Sequence, residues 1–252
     1  MSVEFQQILI EPAYRKVAAA IGERILTRRL REGERLPAEA ELARQLGVNR
    51  STVREALREL ESHGLVERRP GSKLMSVSRP RQQAVAEGVS RALALHDVTF
   101  LEVWVALTIL EPPLAEVAAR CRDSADIIAL AAAAARFAAD NTDASRAVAH
   151  AAQFFRCLGQ ATHNQVLSLA QQPLLQLLEP SLRIVIDKVP QARARIVTAE
   201  RRIVEAVQTG QAPLARTWME KHIRDFRKGY EIAGIDPKHP VDAGWQGGRT
   251  GA

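Results

Sequence analysis

The sequence predicts a mainly α protein in two parts: three short helices with one small β-hairpin, then an all-α bundle of six or seven helices. Three observations point there. Apolar residues recur at three- and four-residue spacing along almost the whole chain, the period of helices that bury one face. Strand-favouring runs meet only at residues 65–77, LVERRPGSKLMSV, on either side of Arg69-Pro70-Gly71-Ser72, which has turn composition. Aromatic residues make up 4% of the chain and alanine is abundant, which suits helices packed closely through small side chains.

The first helix spans about residues 14–29, with Val17, Ile21, Ile25 and Leu26 as its apolar stripe. Pro37 starts the second, residues 38–46, where its missing N–H costs nothing. Leu42, Ala43 and Leu46 face inward there. After a tight turn at Gly47, the third helix covers residues 50–63 with Val53, Ala56, Leu57 and Leu60 inward, and Asn49 or Ser51 is placed to cap it. Gly64 ends it and the basic-tipped hairpin follows. Three helices and such a hairpin compose a winged helix-turn-helix. A linker occupies residues 78–81, and beyond it the periodicity is helical: 82–95, 99–120, 124–140, 143–162, 165–188, 192–209 and 213–231. Pro112-Pro113 and Pro180 are expected to kink or split their helices. FLEVWVALTIL is apolar on nearly every face and belongs at the centre of a bundle or against a second subunit. The Gly- and Pro-rich end reads as a disordered tail. The expected domains are residues 10–79 and 82–232, with the tail at 233–252.

A chain of 252 residues has room for two modest cores, and 46% apolar residues exclude wholesale disorder. The formal net charge is +6, and residues 1–79 hold 15 Lys+Arg against 11 Asp+Glu, so the basic excess lies with the helix-turn-helix, as contact with nucleic acid requires. Two cysteines, Cys121 and Cys157, exclude a disulfide framework or a Cys-rich zinc cluster and read as buried free thiols. With no signal segment and no uncharged apolar run of membrane-spanning length, a cytoplasmic chain without a membrane partner is expected. No nucleophile–base pair, phosphate-cradling glycine loop or paired-carboxylate motif stands out, so neither an enzyme nor a cofactor is expected.

The third helix opens Asn49-Arg50-Ser51-Thr52-Val53-Arg54. The N–H groups and dipole at a helix start favour phosphate. Arg50 and Arg54, four apart, project from one face, and a guanidinium that forks onto guanine O6 and N7 supplies about 1–3 kcal/mol of discrimination. Ser51 and Thr52 suit phosphate or thymine contact, and Arg35 and Arg69 are placed as phosphate partners. The plain alternative is a surface helix with solvated charges.

Residues 30–77 resemble the GntR family of bacterial transcription regulators. The resemblance rests on Leu36-Pro37-Ala38-Glu39, Leu42-Ala43, Gly47-Val48-Asn49-Arg50 and Val53-Arg54-Glu55-Ala56-Leu57 followed by Gly64-Leu65. It implies DNA contact by Asn49, Arg50, Ser51, Thr52 and Arg54 and by the wing at Pro70-Gly71, although the tip reads Gly71-Ser72-Lys73 where the family has arginine-glycine-threonine. The remainder is similar to the family's FadR-type ligand-binding and dimerisation domain, through FFRCLGQATHNQVL with Asn164 and Leu167 in place.

Many relatives hold a divalent metal in that domain through an aspartate, a histidine four residues on, and two later histidines. The matching positions here are Ala151, Phe155, Glu200 and His222. One histidine and one glutamate fall short of the three or more protein ligands such an ion takes, so no metal is expected. His150 is one residue out of register on its helix, and His163 reads as a surface or capping residue. Relatives also clamp an effector carboxylate with an arginine four residues before the glutamate matching Glu111; that position is Leu107. The implied pocket is therefore drier, and desolvating a small carboxylate in it without a cation is costly. The effector is expected to be relatively apolar, such as an aromatic, acyl or terpenoid compound, contacted by Leu107, Glu111, Ala151, Phe155, Glu200, His222 and Arg183 or Gln153. The resemblance as a whole implies a homodimeric, ligand-responsive repressor on a short palindromic operator of double-stranded DNA. The alternatives are a regulator or architectural DNA-binding protein without a ligand, its pocket a filled core.

Overall fold

The computed structural model describes residues 11–241, and the chain divides into two compact units at Arg81/Gln82. The first unit holds α1 (Ala13–Leu26), α2 (Glu39–Leu46) and α3 (Arg50–Ser62), then β1 (Val66–Arg68) and β2 (Met75–Val77). Helices α1 and α2 both pack on α3, and Val17, Ile21, Leu42, Val53, Leu57 and Leu60 join Val66, Met75 and Val77 in one core. Leu26 departs from its expected place: one residue beyond Ile25 turns it about 100° round the helix, and it is exposed. At the end of α3, Gly64 takes φ +70° and the Leu65 N–H reaches the Leu60 carbonyl at 2.9 Å, the left-handed helix stop that glycine favours. The hairpin pairs Val66 with Val77 and Arg68 with Met75. A third edge, unforeseen from the sequence, lies against it: Gly33 N–H donates to Val77 O and Leu36 N–H to Met75 O, with Arg35 bridging Ser76. The segment is too short to show an alternating pattern.

The second unit, within the described residues, comprises α4 (Gln82–Leu95), α5 (Phe100–Cys121), α6 (Ser124–Ala139), α7 (Ala144–Gln160), α8 (Gln165–Lys188), α9 (Pro190–Gln208) and α10 (Ala212–Ile232). Capping boxes Thr99–Glu102 and Asp123–Asp126 start α5 and α6, and the Asn164 side chain accepts from the Val166 and Leu167 N–H groups at the start of α8. Helix α10 packs on α5 and α9, α7 on α6 and α8, and α4 on α8. Pro112 and Pro113 lie inside α5 and Pro173 and Pro180 inside α8, yet each helix runs as one element; neighbours packed along them outweigh the local cost of proline. Helix α5 is not enclosed. Phe100, Val103 and Leu107 are buried, whereas Val105 and Ile109 are exposed on its outer side. Cys157 is a buried thiol, but Cys121, on the last turn of α5, is exposed.

The expected disorder from residue 233 onward does not hold as far as residue 241. Val241 is buried and Ile235 packs on the core. Leu101 N–H donates to Pro237 O, and Val241 N–H to Val98 O. The few apolar side chains of this segment find the start of α5 to cover, despite the loop composition around them. The rest of the expected tail, residues 242–252, lies outside the described residues.

Candidate functional site

On the first unit, Asn49, Arg50, Ser51 and Arg54 are exposed and Thr52 is half-buried at the N-terminal end of α3, with Arg35, Arg69, Pro70 and Gly71 also exposed. Asn49 takes the N-cap position, but its side chain makes no capping bond. The side chain expected to close this helix end therefore leaves the first-turn N–H groups available to an outside acceptor, which is what a phosphate requires. Arg50 has no ion-pair partner among the described residues. Arg54 is braced instead: its Nε and Nη2 donate to Glu39 Oε2 at 3.2 and 3.1 Å. The pair is largely solvated and adds little stability; it fixes where the guanidinium points. Glu39 was not among the sequence candidates, and its only sequence signal is membership of the Leu-Pro-Ala-Glu run. At the wing, Gly71 takes φ +78°, Ser72 N–H donates to Arg69 O at 3.0 Å, and Arg69 pairs with Glu67 at 3.5 Å.

In the second unit, Glu111, Glu200 and His222 are enclosed among apolar side chains, with exposures of 0%, 0% and 2%. Glu111 Oε2 accepts from Gln171 Nε2 at 3.0 Å. Glu111 Oε1, both Glu200 oxygens, Gln171 Oε1 and His222 Nε2 have no partner. The His222 ring stacks on Phe155 at 5.5 Å between centroids and tilts against Phe226 at 5.1 Å. Burial disfavours charge: it pushes the Glu111 carboxyl up to about 8, its bond from Gln171 acting weakly against that, holds Glu200 well above the carboxylate range, and pulls His222 down to about 4. At neutral pH Glu111 is therefore mostly protonated and His222 neutral, and burial favours the protonated form of Glu200.

Leu107, Ala151 and Phe155 line one small cavity with Leu175, Leu178 and Phe226. His222 lines a neighbouring one with Leu182, Val185, Asp225 and Phe226. Each has a volume of about 20 Å³, room for about one water molecule. Glu111 and Glu200 line neither cavity. Arg183 does not belong to the site: α8 buries Leu182, Val185 and Ile186, and one residue beyond Leu182 turns Arg183 to solvent. Gln153 is half-buried and occupied, accepting from Arg156. Sequence reasoning missed Leu175 and Phe226, whose helical spacing marks them only as core.

The donors present do not fit the family's metal. Among the described residues, the one trio with potential ligand atoms within 4.8 Å of each other is Asp123, Asp126 and His163, away from Glu200 and His222. Those two aspartates are engaged in capping α6, and His163 Nε2 lies 2.8 Å from Asp126 Oδ2.

Comparison with known proteins matches both units. Residues 13–74 match the bacterial regulatory proteins of the gntR family, and residues 102–225 match the FCD domain. The chain is 25% identical over 238 residues to the Glc operon transcriptional activator of Escherichia coli (strain K12), covering 91% of this chain and 93% of that protein. It is 32% identical over 156 residues to the Uxu operon transcriptional regulator of the same organism, 61% of this chain and 60% of that one. Among solved structures it is similar in fold to Streptococcus agalactiae GntR, with a TM-score of 0.60 at 22% identity over 85% of this chain and 99% of that chain. No helix among the described residues is long and apolar enough to cross a membrane. The chain belongs to the GntR family, with a helix-turn-helix followed by a FadR-type FCD domain, and is a DNA-binding transcription regulator rather than an enzyme.

Proposed function

We propose that this protein is a ligand-responsive repressor of a catabolic operon, acting in the cytoplasm as a homodimer and released from a short palindromic operator by a small, relatively apolar organic effector. Arg50 and Arg54 read base edges, and Asn49, Ser51, Thr52, Arg35, Arg69 and the Pro70-Gly71 tip hold phosphates. The apolar outer side of α5, with Val105 and Ile109 exposed, supports a second copy as the dimer partner. Relatives named for the Glc and Uxu operons support a metabolic operon as target.

The observation that carries the effector reading is the set Glu111, Glu200 and His222, buried with polar atoms unpartnered, with His222 stacked on Phe155 of the small cavity. A buried polar group without a hydrogen bond costs about 1–3 kcal/mol, and a ligand supplying those bonds offsets the cost. The cavities of about 20 Å³ fall far below the few hundred cubic ångströms of a ligand site. Binding therefore parts the helices, and the protein has two states differing in ligand contacts, as coupling to DNA requires. The same small volumes favour the second reading, a regulator whose interior is simply filled.

A labelled fragment of the protein's own promoter, titrated against random DNA by fluorescence anisotropy with and without a panel of apolar compounds, tests both readings. A preference for the promoter that one compound abolishes supports the first. A preference that no compound alters supports the second, and equal affinity for both DNAs contradicts both.

A further inference from the structure

The cavity beside Phe155 shares part of its wall with a surface groove. Leu175 and Glu179 of α8 line it, and the same two residues line a groove of about 600 Å³ between α4, α7 and α8. That volume suits a small molecule. Two features give the groove chemistry. Arg156 of α7 is half-buried; its Nε and Nη2 donate to the neutral Gln153 Oε1 at 3.2 and 2.9 Å, and it has no carboxylate partner among the described residues. Glu179 is also half-buried. Burial raises its carboxyl above the ordinary range, and the Arg156 charge acts weakly against that. A cation and an acid thus face one groove, close enough to interact but not paired. Glu87 of α4 adds a second acid at the rim, and the Gln172 and Gln176 amides line the wall.

We infer that this groove is the mouth of the effector site and takes a zwitterion with an apolar side chain, an α-amino acid of leucine or phenylalanine size. Its carboxylate meets Arg156, its ammonium meets Glu179 with Glu87 beyond, and its side chain passes Leu175 toward the cavity lined by Ala151, Phe155 and Leu178, which at about 20 Å³ must widen to take it. The inference rests on the effector reading above for the presence of a ligand in this unit, but it places that ligand's polar groups at Arg156 and Glu179 and leaves the buried atoms of Glu111, Glu200 and His222 without partners from it. A simple carboxylate satisfies Arg156 but brings its charge toward two acids. A simple amine leaves Arg156 without an anion, and a neutral apolar compound leaves every charged group in the groove unpaired, at a desolvation cost. A zwitterion matches the lining on both sides.

The test is calorimetric titration of the full chain with phenylalanine and three analogues: 3-phenylpropanoate, which lacks the ammonium, phenethylamine, which lacks the carboxylate, and 2-phenylethanol, which lacks both. Phenylalanine is expected to bind, and each analogue about tenfold or more weakly, the size of one charge-assisted hydrogen bond. Arg156→Gln weakens phenylalanine and 3-phenylpropanoate but leaves phenethylamine unchanged; Glu179→Gln does the converse. A merely structural role for either residue does not produce that crossed pattern, and the analogue series on the unaltered chain stands even where a variant folds poorly. If 3-phenylpropanoate or 2-phenylethanol binds as tightly as phenylalanine, the zwitterion is overturned while the apolar effector survives. If none of the four binds, the inference is overturned, and the promoter assay decides the effector reading separately.

Discussion

Replacing Glu111 by glutamine should change how stability depends on pH. Glu111 is wholly enclosed, and burial raises its carboxyl from 4.5 to about 8. In the unfolded chain the group ionises near its ordinary value, so folding above that pH must take up a proton. The sign follows: the protonated group's contribution is fully present below pH 4.5 and is lost as pH rises through about 8. Each pH unit in that window costs about 1.4 kcal/mol, so the penalty is under about 1 kcal/mol at pH 5 and about 3 kcal/mol at pH 7. Glu111→Gln removes it and keeps the shape, and the new amide can donate to the orphaned Gln171 Oε1. His222, held down to about 4, acts with the opposite sign, its contribution present above pH 6.5 and lost as pH falls through about 4. It is common to both proteins and cancels in the comparison. At about 2–4 °C per kcal/mol for a unit of this size, the melting temperature of Glu111→Gln should gain roughly 6–12 °C on the unaltered protein at pH 7 and little at pH 5. Thermal melts followed by circular dichroism at pH 5, 6, 7 and 8 measure this. Parallel pH profiles for the two proteins would refute the reasoning.

Other outcomes follow from the same geometry. Arg50→Ala should cost about 1–3 kcal/mol of promoter preference, read by anisotropy competition against random DNA; full preference in the variant sinks the assignment. Arg35→Ala should weaken promoter and random DNA alike and lower the slope of log affinity against log salt by about 1, read by titrations at several salt concentrations. Gly159→Ala should destabilise the second unit by about 1–3 kcal/mol, because a Cβ there falls 2.4 Å from Gln171 Oε1 and displaces the partner of Glu111; urea denaturation measures it.

The helices were legible because their signals are local. Apolar spacing placed α4 to α10 nearly to their ends, and Gly47 and Gly64 stand where the chain enters left-handed conformation. The third strand edge at Arg35 and the packing of Val241 were hidden, because both depend on partners distant in the chain. The candidate site was legible in part. The positions of Leu107, Ala151, Phe155, Glu200 and His222 followed from their register in the resemblance, and all five are buried. Arg183, offered as a polar contact of the pocket, lies outside it because one residue beyond buried Leu182 turns it about 100° round α8, to solvent. No pattern marked Arg156 and Glu179 as neighbours across a groove, since α7 and α8 meet only in the folded bundle.

Native mass spectrometry of the gently purified protein tests the central claim, a dimer whose interior takes an organic molecule without a metal, most directly. The account predicts a metal-free dimer that carries, or on titration takes up, one small organic mass per chain. A dimer with one divalent metal ion per chain, retained when Asp126→Ala and His163→Ala remove the Asp123–Asp126–His163 trio, would contradict it, since the ion would then sit in an interior whose family positions offer only Glu200 and His222 as donors.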